Sequence, residues 1–406
     1  MTSPRFAGFV AVVPVAGALL AGACGSDSNT TMTPPDTTPR TFDADDPNIQ
    51  YTGRIDFTNP KQPRFALGAT YIRAAFTGTG VSVLLKDEHR YGMWRNYYDA
   101  VVDDMVVGKI RPDDDPSVIK YPVASSLVYG DHVVTIEKRT EANVGVGFFL
   151  GFEIAGEIQP PPARPAHKLL FFGDSITAGS GVEVPDGDPA CSADGWGQPV
   201  QNADVAYGPV AAAMLDADYH VLGVAGIGLV RNFESDPSKG DTRPLPEVYR
   251  FTFPEASPPS TAIWPAASYQ PDAIVVALGT NDFSPGLLNA DNTPVDGRAM
   301  MDPGTFATAY IALIDGLRGD YPNAHIFTMG SPMLVDGWPT AAYTSKTRLE
   351  TALTMVGDHY VTAGDTKVHQ VLVSKQNGGC ASHPNVQGQA TTATELAAAV
   401  RPAMGW

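Results

Sequence analysis

The run Leu169-Leu170-Phe171-Phe172-Gly173-Asp174-Ser175-Ile176-Thr177-Ala178-Gly179 decides the fold of the larger part of the chain. A short apolar stretch ends abruptly in Gly-Asp-Ser. It reads as a buried strand that delivers a serine to its C-terminal edge, with Ala178-Gly179 allowing a tight entry into a following helix. Open α/β sheets hold their ligands at the carboxyl ends of the strands, and a hydroxyl at such an edge is placed to act as a nucleophile. The same tripeptide also suits a plain strand-to-helix cap, because Asp and Ser are favoured N-cap residues.

Outward from Ser175, apolar runs alternate with helical stretches as far as Trp406. Lys168–Phe172, His220–Ala225, Ala273–Leu278 and His325–Met329 read as parallel strands. Val205–Leu215, Pro303–Arg318, Lys346–Val361 and Gln389–Val400 read as helices. Over about 240 residues this alternation predicts a three-layer α/β domain with a parallel sheet, assigned to residues 167–406.

Residues 42–158 have a different character. Short alternating runs such as Ile49–Ile55, Tyr71–Phe76, Val81–Leu85, Tyr97–Val102, His132–Glu137 and Phe148–Ile154 are separated by turn residues, with no helical period. That is the pattern of an all-β sandwich or jelly roll. Residues 159–166, centred on Gln159-Pro160-Pro161-Pro162-Ala163-Arg164-Pro165, form a stiff linker between the two domains.

The N-terminus carries Arg5, an apolar run from Phe6 to Leu20, then small residues and Cys24. This reads as a signal peptide over residues 1–24. Leu20-Ala21-Gly22-Ala23-Cys24 resembles a bacterial lipoprotein processing box, with Ala21 where Leu is commonest, so Cys24 is the expected lipidation site. Residues 25–41 are too polar to fold and suit a disordered tether. The expected location is the bacterial cell envelope, lipid-anchored at the periplasmic or outer surface, or otherwise secreted. With Cys24 lipidated, Cys191 and Cys380 remain, and two cysteines in an exported protein point to one disulfide. Two separate buried thiols are the alternative.

The formal net charge is −17, from 27 basic and 44 acidic residues. Such a surface repels polyanions, which disfavours nucleic acid and anionic headgroups as partners. No His/Asp/Glu grouping has metal-ligand spacing, so no metal or other cofactor is expected. A monomer is expected.

Four further segments fall at or near strand ends of the α/β domain: Val224–Gly228, Gly279–Asp282, Gly330–Leu334 and His383-Pro384. Singly, each has an ordinary reading. Gly226 suits a turn with positive φ, Asn281-Asp282 a turn or helix cap, and His383 a loop. Jointly they set a serine, a glycine, an asparagine and a histidine on one rim.

These residues resemble the SGNH (GDSL) hydrolases, whose four blocks match Gly173-Asp174-Ser175, Gly226, Gly279-Thr280-Asn281-Asp282 and His383. With the β domain included, the chain is most similar to the acetyl esterases of carbohydrate esterase family 2. The resemblance implies that Ser175 is the nucleophile and His383 the general base. It also implies an oxyanion hole made of the Ser175 and Gly226 N–H groups and the Asn281 side chain. One departure stands out: many SGNH enzymes carry an aspartate three residues before the histidine, where this chain has Cys380. A Ser-His dyad oriented by a backbone carbonyl is therefore expected, as in some family 2 esterases. Asp365 and Asp358 are the remaining candidates for an orienting acid. A Cys191–Cys380 bridge would then pin the histidine loop against the loop after the nucleophile helix. Trp338 is similarly placed to a family sugar-clamping aromatic, with Trp196 and Trp264 as competitors.

The implied activity is removal of O-acetyl groups from carbohydrates such as xylan or mannan through an acyl-enzyme. A lipase- or thioesterase-like hydrolase and an inactive carbohydrate-binding protein are the alternatives.

Overall fold

The computed structural model describes residues 35–88, 94–195, 197–233, 243–254, 262–295 and 298–406. The expected signal peptide, Cys24 and Trp196 lie outside the described residues.

The N-terminal domain is built from β1 (Pro39–Asp43), β2 (Gln50–Thr52), β3 (Ile55–Asp56), β4 (Arg64–Phe65), β5 (Tyr71–Asp87), β6 (Tyr98–Val102), β7 (Met105–Ile110), β8 (Lys120–Ala124), β9 (Gly130–Lys138) and β10 (Gly147–Gln159). All of the pairings are antiparallel. The long strands β5 and β10 pair with each other along Ala75–Asp87, with the register slipping next to Gly151 and Gly156. On its other edge β5 changes partner, meeting β9 over Tyr71–Gly78 and β8 over Val81–Leu84. Side chains on its inward face, including Phe76, Val83 and Leu85, close an apolar core with Phe149, Phe152 and Ile154.

Two expectations change here. Tyr71–Phe76 and Val81–Leu85 are one strand, because Thr77-Gly78-Thr79-Gly80 continues the ladder as a crowded crossing with β10 where a turn was expected. The expected tether up to residue 41 is shortened, since Pro39, Arg40 and Thr41 pair with Ala155, Ile154 and Glu153.

The C-terminal domain carries β11 (His167–Gly173), β12 (Ala217–Gly223), β13 (Ala273–Ala277), β14 (His325–Met329) and β15 (Val368–Val371). They form a parallel sheet in the order β12-β11-β13-β14-β15. Its helices are α1 (Tyr207–Met214), α2 (Leu245–Val248), α3 (Thr280–Phe283), α4 (Pro303–Asp320), α5 (Ser345–Ala363) and α6 (Val386–Met404).

The strand period of two splits each central strand between two cores. Leu170, Phe172, Ile274 and Val276 face α4 and α5 through Phe306, Tyr310, Leu349 and Leu353. Leu169, Phe171 and Val275 face α1 and α6 through Tyr207, Ala211, Leu396 and Val400. Burying one phenylalanine of this kind contributes about 1.5–3 kcal/mol. The edge strand β15 was not anticipated, because Val368-His369-Gln370-Val371 is too short and polar to read as a strand.

The two domains share packing. Ala66, Leu67 and Ala142 from the first domain belong to the core between the sheet and α4/α5. The linker is tied to both sides: the Arg164 guanidinium donates to Thr52 Oγ1 and to Asp218 Oδ2, each at 2.8 Å.

Candidate active site

A strand order that reverses direction opens a crevice at the carboxyl ends on either side of the first strand. Here that strand is β11, and Ser175 follows it by two residues, 8% exposed. No helix follows the serine, contrary to expectation. The chain folds into successive turns, with Asp174 Oδ1 accepting from the Ile176 N–H at 3.0 Å and the Ser175 carbonyl accepting from the Ser180 N–H at 3.0 Å. The reason lies at Gly181. It has φ +60°, and a Cβ there would fall 2.4 Å from the Cys380 Cβ. A helix would carry the chain away from the histidine loop, whereas the turns press against it.

That loop is fastened twice by its main chain. The Gly181 carbonyl accepts from Cys380 N–H at 3.0 Å and the Val182 carbonyl from Val386 N–H at 3.2 Å. A disulfide joins Cys191 to Cys380, with 5.5 Å between the Cα atoms. Asn385 caps α6 by accepting from the Gly388 N–H at 2.9 Å, which fixes where the loop ends.

The structure brings His383 and Ser175 into contact, with Nε2 2.7 Å from Oγ. Nδ1 lies 2.8 Å from the Cys380 carbonyl oxygen. A carbonyl only accepts, so Nδ1 carries the proton and the Nε2 lone pair faces the hydroxyl. Burial lowers the His383 pKa below its ordinary 6.5, opposed by the bond to Cys380. The imidazole is thus neutral near pH 7. Asp365 is engaged elsewhere, on Arg318 at 3.0 Å. The Asp174 carboxyl, fully buried beside the serine, is pushed up to about 6 by loss of hydration.

Gly226 follows β12 with φ +76°, a conformation that favours glycine. Its carbonyl accepts from the Phe233 N–H at 2.8 Å. Among the described residues its own N–H, like that of Ser175, has no acceptor. Asn281 is the second residue of α3, which follows β13; it is buried, and it donates from Nδ2 to the Ile227 carbonyl at 2.7 Å. One Nδ2 hydrogen therefore holds the glycine loop, and the second is left over. Two side chains that sequence reading missed as a device, the acceptor Asp282 and the donor Arg298, hold this corner together. Asp282 accepts from the N–H groups of Leu229, Val230 and Arg231 at 2.9, 2.7 and 3.0 Å. Arg298 donates to the Asn281 carbonyl at 2.6 Å and to the carbonyls of Asn232 and Phe233 at 2.9 Å each.

Ser331, after β14, accepts from Thr280 Oγ1 at 2.9 Å on the same rim. Trp338 stands 52% exposed on the loop between β14 and α5. Trp264 packs against His220 and beneath the Arg54 guanidinium.

A parallel sheet with a serine–imidazole pair and spare N–H donors on its carboxyl rim defines an SGNH-type α/β protein. Residues 171–390 match the GDSL-like lipase/acylhydrolase family and residues 51–162 the carbohydrate esterase 2 N-terminal domain. The chain belongs to the GDSL-like lipase/acylhydrolase family, with the domain order of carbohydrate esterase family 2. It is 30% identical over 372 residues to the cellulase/esterase CelE of Acetivibrio thermocellus, covering 90% of this chain and 41% of that protein. It therefore spans less than half the length of that relative. It is 26% identical over 370 residues to an acetylxylan esterase / glucomannan deacetylase of Cellvibrio japonicus, covering 90% and 92% of the two chains. Among solved structures, a family two carbohydrate esterase from Clostridium thermocellum in complex with cellohexaose superposes with a TM-score of 0.75 at 29% identity, covering 88% of this chain and 99% of that one.

Proposed function

We propose that this protein is a serine esterase that removes O-acetyl groups from carbohydrates through a Ser175–His383 dyad. Ser175 Oγ bonds to the ester carbonyl carbon while its proton passes to His383 Nε2. The oxyanion is held by the Ser175 N–H, the Gly226 N–H and Asn281 Nδ2. Collapse breaks the bond to the sugar oxygen, which takes the proton from Nε2, and acetyl-Ser175 remains. Water then adds with its proton passing to Nε2, acetate leaves, and the proton returns to Ser175. The Cys380 carbonyl does what an acid does elsewhere, fixing the tautomer and the ring direction.

The observation that carries this reading is the 2.7 Å contact of Nε2 with Oγ while Nδ1 is occupied by Cys380. The names of the relatives supply the substrate class. Trp338 is the residue we assign to stacking on a sugar ring.

The test is acetate release from acetylated xylan, mannan and monosaccharides, alongside a chain-length series of p-nitrophenyl esters. Activity confined to acetyl esters supports the reading. Equal or better turnover of long acyl chains replaces it with a broad acylhydrolase, and failure to react with a fluorophosphonate replaces it with a binding protein. We further propose that Cys24 carries a lipid anchor. Cys24→Ala should release the protein from membranes, and unchanged membrane association would refute the anchor.

A further inference from the structure

We propose that the N-terminal β domain is a working part of the oxyanion hole, through Glu141. The proposal rests on the reading of Gly226 as an oxyanion donor. Glu141 lies just past the end of β9, at the start of a single turn formed by Ala142–Val144, and it is 3% exposed. Its side chain crosses into the hydrolase domain. Oε2 accepts from the Ala225 N–H at 2.6 Å, and Oε1 accepts from Gln201 Nε2 at 3.3 Å. Gln201 replies, its Oε1 accepting from the Glu141 N–H at 3.4 Å. Glu141 is therefore oriented by the same partner that it binds.

The place of this contact matters more than its strength. Ala225 precedes Gly226, and the Gly226 carbonyl is fixed by the Phe233 N–H at 2.8 Å. The Gly226 N–H, which has no acceptor among the described residues, lies between these two anchors. A glycine at positive φ rotates its flanking peptides easily. An oxyanion donor is useful only when it is aimed before charge develops. The two anchors restrict that rotation, one from within the hydrolase domain and one from the β domain.

A carboxylate suits this position, because a bond from N–H to an ionised acceptor is about twice as strong as a neutral one. The Lys138 ammonium lies nearby, donating to the Thr140 and Glu141 carbonyls at 2.7 and 3.2 Å. Burial lowers the Lys138 pKa to about 7, with Glu141 among the acids that oppose the shift. Glu141 acts through Gly226 and is a positioning residue.

The experiment compares Glu141→Ala, Glu141→Gln and Glu141→Asp for kcat, KM and Tm on an acetyl ester, and crosses Glu141→Ala with Asn281→Ala. Glu141→Ala should lower kcat about ten- to a hundredfold, part of the 10²–10³ that a whole donor contributes, with KM within about twofold. Glu141→Gln keeps an acceptor for Ala225 and should retain most of the rate. Glu141→Asp keeps the charge beside Lys138 but falls short of Ala225. It should fold and still lose kcat, which carries the test if the alanine variant does not fold. The double variant should lose less than the product of the single losses, because both act on one oxyanion. Wild-type kcat in Glu141→Ala or in Glu141→Asp, a glutamine variant as slow as alanine, or strictly multiplicative losses overturns the positioning role. Full activity in Asn281→Ala overturns the oxyanion reading and this proposal with it, so the two failures are told apart.

Discussion

The backbone carbonyl of Cys380 accepts from Nδ1 of His383 at 2.8 Å, and the side chain of the same cysteine is bonded to Cys191. One residue both orients the imidazole and fastens its loop beside the nucleophile. Ala381 and Ser382, between them, have φ of +49° and +60°. Left-handed conformations in such residues cost roughly 1–2 kcal/mol each. The surrounding fastenings hold this turn in place.

Separating the sulfurs should therefore reach the chemistry. The bridge closes a loop across 189 residues, for which the chain-entropy model allows up to roughly 5 kcal/mol. Cys191→Ser should lower Tm markedly and lower kcat as the ring loses its fixed direction, with Ser175 still present. Thermal unfolding and initial rates, with and without reductant, check this. A variant with lowered Tm and an unchanged kcat would show that the carbonyl holds the ring without help from the bridge.

The acid limb of the rate profile follows from His383. The base must be neutral to take a proton, and burial lowers its pKa from 6.5. The neutral form therefore persists to lower pH than for a free imidazole. kcat/KM should be flat through neutrality and fall by half only below pH 6.5, which a profile from pH 4 to 9 measures. A midpoint above 6.5 contradicts the buried neutral ring.

Ser175→Ala should abolish acetate release to within the residual provided by binding and the oxyanion donors, a loss of at least about 10³. It should leave folding intact, since the alanine methyl fits the space of the hydroxymethyl group. Initial rates and circular dichroism decide it. Retained turnover removes the serine from the mechanism.

Asn281→Ala separates chemistry from architecture. Its Nδ2 also holds the Ile227 carbonyl, so a small loss of Tm is expected along with a fall in kcat of about 10²–10³. Asp282→Ala should behave in the opposite proportion. It strands three N–H groups, that of Leu229 buried and those of Val230 and Arg231 half-buried, and a buried one costs about 1–3 kcal/mol, so the melting curve should move more than that of Asn281→Ala. Paired kcat and Tm values for the two variants test the division.

Much of this arrangement was legible in the chain because its parts are punctuated. Leu169–Phe172 ends at Gly-Asp-Ser, Ala273–Leu278 at Gly-Thr-Asn, and the observed β11, β13 and β14 lie within one or two residues of the expected strands. What was not legible depends on contacts distant in sequence. Ala178-Gly179 reads as the entry to a helix, and only the closeness of Cys380 to Gly181, two residues on, shows why the chain turns instead. Gly78 looked like a turn until β10 crossed it. Glu141 reaches Ala225 over a separation of 84 residues, side chain to main chain, and leaves no periodic trace. Arg298 sits in a loop with no motif and is revealed only by the three carbonyls it gathers.

Ala66, Leu67 and Ala142 are buried together with Phe172, Tyr249 and Phe306. These apolar residues lie on the β side of the boundary between the two domains. An engineer who wished to transplant only the C-terminal half onto another carrier would inherit an open apolar wound, where those three residues had been, and a product prone to self-association. The natural unit for borrowing is the pair of halves, taken whole.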